Sequence, residues 1–264
     1  MSCGISRIKG IMSLLVGLMI STSAVSDQAE HSLVTIGYWR ASLPPYIMIG
    51  KDNGIFVDMV KNTFANQRVN TTSQYFPTLE KAVNAMEQGH IDALAMGTLA
   101  LGDRYYYSDP IFIFNNHAIS LRKNHLKIDS KSDLKGIRVI AFPKASEVLD
   151  LPELPKQEKG LYREVMDQRI QVDLLFYDKA DVVLADKYIF NYYRKQAAYH
   201  LVEINSPYRA TPAYHKIFPL KAHYNMAFRD IKLRDLFMKG YQKLESEGGI
   251  NTIRDYYLEL MGGL

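Results

Sequence analysis

Residues 97–112, GTLALGDRYYYSDPIF, set a single arginine, Arg104, between an apolar run and three consecutive tyrosines that lead into Ser-Asp-Pro. A guanidinium is a planar, permanently charged fork that makes two parallel hydrogen bonds to a carboxylate in a partly dry cleft. At the end of a loop the same residue is a solvated surface charge. Asp186 closes the apolar run of ADVVLAD. A carboxylate at a strand's C-terminal end faces the side on which α/β sheets bind ligands, and it is equally apt as the N-cap of a following helix. Trp39, the only tryptophan, stands next to Arg40 after an apolar β-rich run, where it can offer a stacking surface or fill a core.

Signatures of covalent or cofactor chemistry are missing from the sequence: there is no GxSxG elbow, P-loop, GxGxxG or CxxC. The seven histidines have no close metal-ligand spacing, so neither a cofactor nor a metal is expected. The 264 residues, 47% hydrophobic and 23% charged, have the composition of an ordinary globular protein that can bury a sizeable core. Residues 1–26 pattern as a secretory signal peptide, with Arg7 and Lys9, the apolar run Ile11 to Ile20, then STSAVS. That run falls well short of the ~20 apolar residues of a spanning helix. Cys3, the only cysteine, would leave with this leader, so the mature chain is expected to be soluble and without disulfides, which fits a bacterial periplasm. Losing Arg7 and Lys9 lowers the formal net charge of +4 by two, too little to argue for nucleic acid.

Elements able to position these residues alternate. Leu33 to Tyr38 reads as a strand, broken by Leu43-Pro44-Pro45, and Phe56, Met59, Val60 and Phe64 then recur at helical spacing. A polar-alternating strand at Thr71 to Tyr75 precedes a helix with Thr78 as N-cap, an apolar face of Leu79, Ala82, Val83 and Met86, and Gly89 at its end. Ile91 to Met96 reads as a buried strand, completing the alternation of a parallel α/β sheet. After His117 to Leu121 a second such unit is expected, with strands at Ile137 to Phe142 and Val172 to Phe176, a helical start near Ser146 interrupted by Pro152 and Pro155, a helix bearing Ile189, Phe190 and Tyr193, and a close at Leu201 to Ile204. A strand from Tyr224 and two helices, Leu233 to Leu244 and Ile250 to Leu260, finish the chain. Two α/β units with no Gly/Pro/Ser linker between them imply lobes joined by strands.

The order of Pro44-Pro45-Tyr46, Gly54-Ile-Phe-Val-Asp58, Ala82 through Gly89-His-Ile-Asp92-Ala-Leu-Ala, Ser108-Asp109-Pro110, Asp133-Leu134-Lys135-Gly136, Ala180-Asp181-Val-Val-Leu-Ala-Asp186 and Leu233 through Gly248 resembles the extracellular solute-binding proteins of family 3. These are periplasmic binding proteins that serve polar amino acid ABC importers. The resemblance spans nearly all of the chain after the leader. It implies an α/β, two-lobed periplasmic binding protein (type II) fold with a hinge of two connecting strands. Lobe 1 would comprise 27–119 and 213–264, and lobe 2 would comprise 120–212.

By position in the family, Gly97 and Thr98 match backbone and hydroxyl contacts, and Arg104 matches the arginine that holds the ligand's α-carboxylate. The interval from Arg104 to Ser108 is shorter than the family's, and an ungapped match places Leu101 there, so the surface reading stays open beside the clamp. Asp186 matches the acceptor of the ligand's α-ammonium, beside the N-cap alternative. Ala145 and Ser146 fall on the family's second-lobe anion turn, where Lys144-Ala145-Ser146 replaces the usual Gly-Thr. Trp39 and Arg40 stand near the first-loop stacking position, and Arg40 takes the place of an acid found in relatives that bind cationic amino acids.

The function implied is capture of a small polar ligand, an amino acid or related carboxylate, by a monomer that hands it to a membrane permease. Two alternatives share the fold: a partner of a membrane sensor, and a periplasmic dehydratase-like enzyme using a cleft carboxylate as general acid or base.

Overall fold

The computed structural model describes residues 33–39, 43–48, 50–97, 101–156, 158–200, 206–220 and 222–260. The leader, Arg40, Thr98 and the segment Leu201 to Ile204 lie outside them. Among the described residues no helix is long and apolar enough to cross a membrane.

In the first sheet, β1 (Leu33–Trp39) lies parallel between β2 (Asn70–Phe76) and β3 (Ala93–Gly97). The crossovers are α1 (Ile55–Ala65) and α2 (Leu79–Glu87), the latter capped by the expected Thr78, whose hydroxyl accepts from Lys81 N–H at 3.3 Å. Three further strands extend this sheet. They are β4 (Tyr106–Tyr107), β5 (Phe112–Ile113) and, from the C-terminal part of the chain, β11 (Ala222–Phe228), which runs antiparallel to β3, β4 and β5.

The second sheet runs in the order β10, β6, β9, β7, β8. Its strands are β6 (Asn116–Leu121), β7 (Val139–Ala141), β8 (Tyr162–Glu164), β9 (Val182–Asp186) and β10 (Pro212–His215). Its helices are the single turn α3 (Ala145–Val148), α4 (Gln168–Phe176) and α5 (Lys187–His200). The expected division at 119/120 falls inside β6, which pairs with β9 and β10 along its length. The chain passes between the sheets at 114–115 and again between His215 and Ala222.

One expected element is corrected. Val172 to Phe176 is not a strand but the second half of α4. Its short apolar run fits either period, and local chemistry decides. The Asp167 carboxylate accepts from Arg169 and Ile170 N–H, starting the helix, and Gln171, Val172, Leu175 and Phe176 then turn inward at i, i+1, i+4 and i+5. The strand the second sheet needs there is β8, whose sequence YRE carries no apolar alternation.

The C-terminal helices α6 (Ile231–Ser246) and α7 (Gly249–Leu260) return to the first sheet and pack on α1. Phe237 of α6 stacks near Phe64 and Phe228, with ring centroids 5.3 Å apart in both cases. Gly240 permits this approach, since a Cβ there would lie 2.2 Å from the Thr63 carbonyl oxygen.

Candidate functional site

Strand directions decide which residues can meet. In the first sheet the carboxyl ends of β1 and β3 carry Trp39 and Gly97. In the second, β7, β8 and β9 run parallel and end together near Ala141, Glu164 and Asp186. The two edges face one another, because Tyr46, in the loop after β1, donates its hydroxyl to Asp186 Oδ2 at 2.9 Å. The candidate site is the groove between these carboxyl edges, spanned by the two chain crossings. Ligands of α/β sheets bind outside the carboxyl ends of strands.

Asp186 is 2% exposed. Oδ1 accepts from Tyr188 N–H at 2.8 Å and Ile189 N–H at 3.0 Å, capping α5. Oδ2 accepts from Tyr46 and from Asn115 N–H at 2.6 Å, in the first chain crossing. Burial raises its pKa, and the four hydrogen bonds offset only part of that. The residue matched to an ammonium acceptor is therefore, in this structure, a helix cap and a staple between the lobes, beneath a tyrosine.

The second-lobe turn holds a carboxylate already. Lys144, at the start of this turn, adopts the left-handed region at φ 63°. Glu164 Oε2 accepts from Lys144 N–H at 2.7 Å, and Oε1 accepts from Ser146 N–H at 3.2 Å, Ser146 Oγ at 3.1 Å and the Tyr162 hydroxyl at 2.7 Å. Ala145 is fully buried and its N–H is spent on Phe142 O. Partial burial alone would raise the Glu164 pKa, but these hydrogen bonds outweigh it and hold the carboxyl below its ordinary value.

On the first edge Trp39 is half-buried and donates its indole N–H to Met96 O at 3.0 Å. Met96, wholly buried, sits at φ 55°, unusual for a strand residue. Each edge thus holds a non-glycine residue in the left-handed region, as do Asp52, Arg68, His125, Asp150 and Asp178 elsewhere in the described residues. Gly97 serves packing as well as access, for a Cβ would stand 2.9 Å from that of Ala227.

Arg104 is not brought to this groove. β11 pairs Phe228 with Ala93 on one side and with Tyr106 on the other, so Arg104, two residues before Tyr106, lies beyond the amino end of β3. Gly97 is four residues further along, ~13 Å at strand rise. Arg104 there pairs with Glu87, at the C-terminal end of α2, at 2.7 Å and is 63% exposed. With Met86, Tyr105 and Arg229 it lines a hollow of about 440 Å³. The carboxylate-clamp expectation is corrected on this ground: Arg104 stands by the amino end of the sheet, paired with Glu87, and not at its carboxyl edge.

Sequence reasoning missed Tyr46, Tyr162, Glu164 and Asn115. Tyr46 was visible as part of Pro-Pro-Tyr without a role. Glu164 had no signal, because the strand that carries it shows no apolar alternation.

No family model matches the chain, and no curated protein matches it. Solved structures do. Substrate binding domain 2 of Lactococcus lactis GlnP, in an open conformation, aligns with a TM-score of 0.66 at 20% identity, over 88% of this chain and 97% of that one. The GluR0 ligand binding core in complex with L-glutamate aligns with a TM-score of 0.65 at 17% identity, over 87% and 100%. An ABC uptake transporter substrate binding protein from Streptococcus pneumoniae with bound histidine aligns with 0.57 at 16%, over 86% and 93%. At such identities the likeness establishes the fold. The chain has the two-lobed type II periplasmic binding protein fold, as its sequence motifs implied.

Proposed function

We propose that this chain is a solute-binding protein that closes its two lobes over a small polar molecule and delivers it to a membrane permease. The observation that carries the reading is the pair of carboxyl edges facing across the groove and joined by two chain crossings. That geometry lets two rigid lobes approach by small backbone changes in the crossings. Lobe 1 comprises the first sheet with α1, α2, α6 and α7, and lobe 2 comprises the second sheet with α3 to α5. The ligand class is amino acids and related solutes, in keeping with the glutamate-bound GluR0 and histidine-bound structures of the same fold. The protein acts as a monomer in the periplasm, after removal of residues 1–26.

Binding is favoured over catalysis by the state of Asp186. A general acid or base must reach the reacting atom, whereas this carboxylate is sealed and committed to four donors. The test is a thermal-shift screen of the mature protein against amino acids, small peptides and organic acids. A ligand raises the apparent stability by mass action, and small-angle scattering of the complex should show a more compact particle. A complex with an unchanged scattering profile would sink lobe closure.

A further inference from the structure

We propose that Glu164 is the resident anion of the turn after β7, and so a specificity determinant of the groove: it keeps a ligand's carboxylate off the second lobe. This inference deepens the solute-binding reading and rests on it.

The register places Glu164 where a ligand would meet it. Ala141 pairs with Leu184 of β9 on one side and with Glu164 of β8 on the other, so Glu164 is level with Leu184 across two strand spacings, and Asp186, two residues further along β9, is about 12 Å away at the same edge. Asp186 meets the first lobe through Tyr46, and Glu164 ends β8 at the same carboxyl edge of the second sheet. The turn is built to receive a carboxylate. Two backbone N–H groups and a hydroxyl converge there, and the Tyr162 hydroxyl closes over the same oxygen. All of these donors point at Glu164.

The consequence follows from capacity and charge. Oε1 already accepts three hydrogen bonds, so a ligand oxygen finds no donor left unused in the turn. A second carboxylate against Glu164 would also place two like charges together, which disfavours ionisation of both. Glu164 is itself exposed, and Oε2, with one donor, keeps acceptor capacity for a ligand's donor. A carboxylate-bearing solute must therefore seat its carboxylate on the first lobe and offer the second a neutral donor or a cation.

The test uses acetate as a stand-in carboxylate. Glu164→Ala leaves the same four donors facing an empty space. Acetate, against chloride at equal ionic strength, should raise its melting temperature saturably by ~2–4 °C. The wild type and Glu164→Gln, whose turn is still filled, should not respond. Equal responses in all three proteins, or none in Glu164→Ala, overturn the proposal. Should Glu164→Ala not fold in chloride, recovery of folded protein in acetate is the readout, and no recovery overturns it. This arm needs no solute ligand, so it separates failure of the proposal from failure of the solute-binding reading. A second arm titrates glutamate and glutamine into both proteins. Glu164→Ala should gain tenfold or more for glutamate relative to glutamine, and an unchanged ratio with acetate rescue intact overturns the specificity claim.

Discussion

Asp186 and Glu164 end strands of one sheet at one edge, and each carboxylate accepts four hydrogen bonds. Their acidities nevertheless move in opposite directions: Asp186 is raised and Glu164 lowered. The number of hydrogen bonds is the same, so the difference lies in solvent. Asp186 has lost its water, and the cost of holding a charge there exceeds what four donors return. Glu164 keeps much of its solvation and gains the donors besides. One edge thus carries a carboxylate whose business is structure and another that keeps both its charge and its exposure to solvent.

Asp186→Ala leaves Tyr46, Asn115, Tyr188 and Ile189 without their acceptor and uncaps α5, at a cost of about 3–5 kcal/mol in denaturant unfolding. A loss under about 1 kcal/mol would mean that water replaces the carboxylate and that the residue is not a staple. Tyr46→Phe removes one donor to a buried charge and should cost about 1.5–3 kcal/mol, read in the same way. A wild-type midpoint would show the lobe-to-lobe bond to be incidental.

The two carboxylates act on acid stability with opposite signs. A carboxyl raised in the folded state binds protons more readily there than in the unfolded chain, where its value is about 3.9. Through Asp186, stability therefore rises as pH falls towards that value. Glu164 is lowered, so its contribution is fully present above the unfolded value of about 4.3 and is lost as pH falls through the folded one. Unfolding measured from pH 7 to pH 3 should show a shallower acid loss in Glu164→Gln than in the wild type. Identical acid limbs would contradict the assignment. At pH 7 that substitution should cost no more than about 1 kcal/mol, given the exposure of the group.

The smallest effect is expected at Arg104, which lies at the far end of the first sheet from the groove. Arg104→Ala removes an exposed ion pair with Glu87 and should change stability and solute affinity by no more than ~0.5 kcal/mol. Calorimetric titration showing a loss of tenfold or more would return the arginine to the ligand.

The fold was legible because its long elements carry strong periodicity. The helices α1, α2, α6 and α7 and the strands β1 to β3 follow from apolar spacing and from caps such as Thr78. What escaped depends on tertiary context. The run containing Val172 to Phe176 is too short for its period to decide, and the Asp167 cap tips it to helix. β8 exists because β7 needs a neighbour, not because YRE prefers a strand. The site was half legible for the same reason. Motif order pointed to Asp186, Gly97 and the Ser146 turn, which stand at the carboxyl ends of β9, β3 and β7. Position along the chain misplaced Arg104, because spacing between motifs does not say at which end of a sheet a residue comes to lie.

Trp39 offers the most direct test of the groove itself. It is the only tryptophan of the chain and stands half-buried at the carboxyl end of β1, bonded to Met96 O at the first edge. Titrating glutamine, glutamate, histidine and arginine into the mature protein while following its fluorescence should reveal a solute that shifts the Trp39 emission saturably. The same solute should raise the melting temperature. A solute that raises the melting temperature while leaving the Trp39 emission unchanged would bind elsewhere and would contradict the groove between the two carboxyl edges as the binding site.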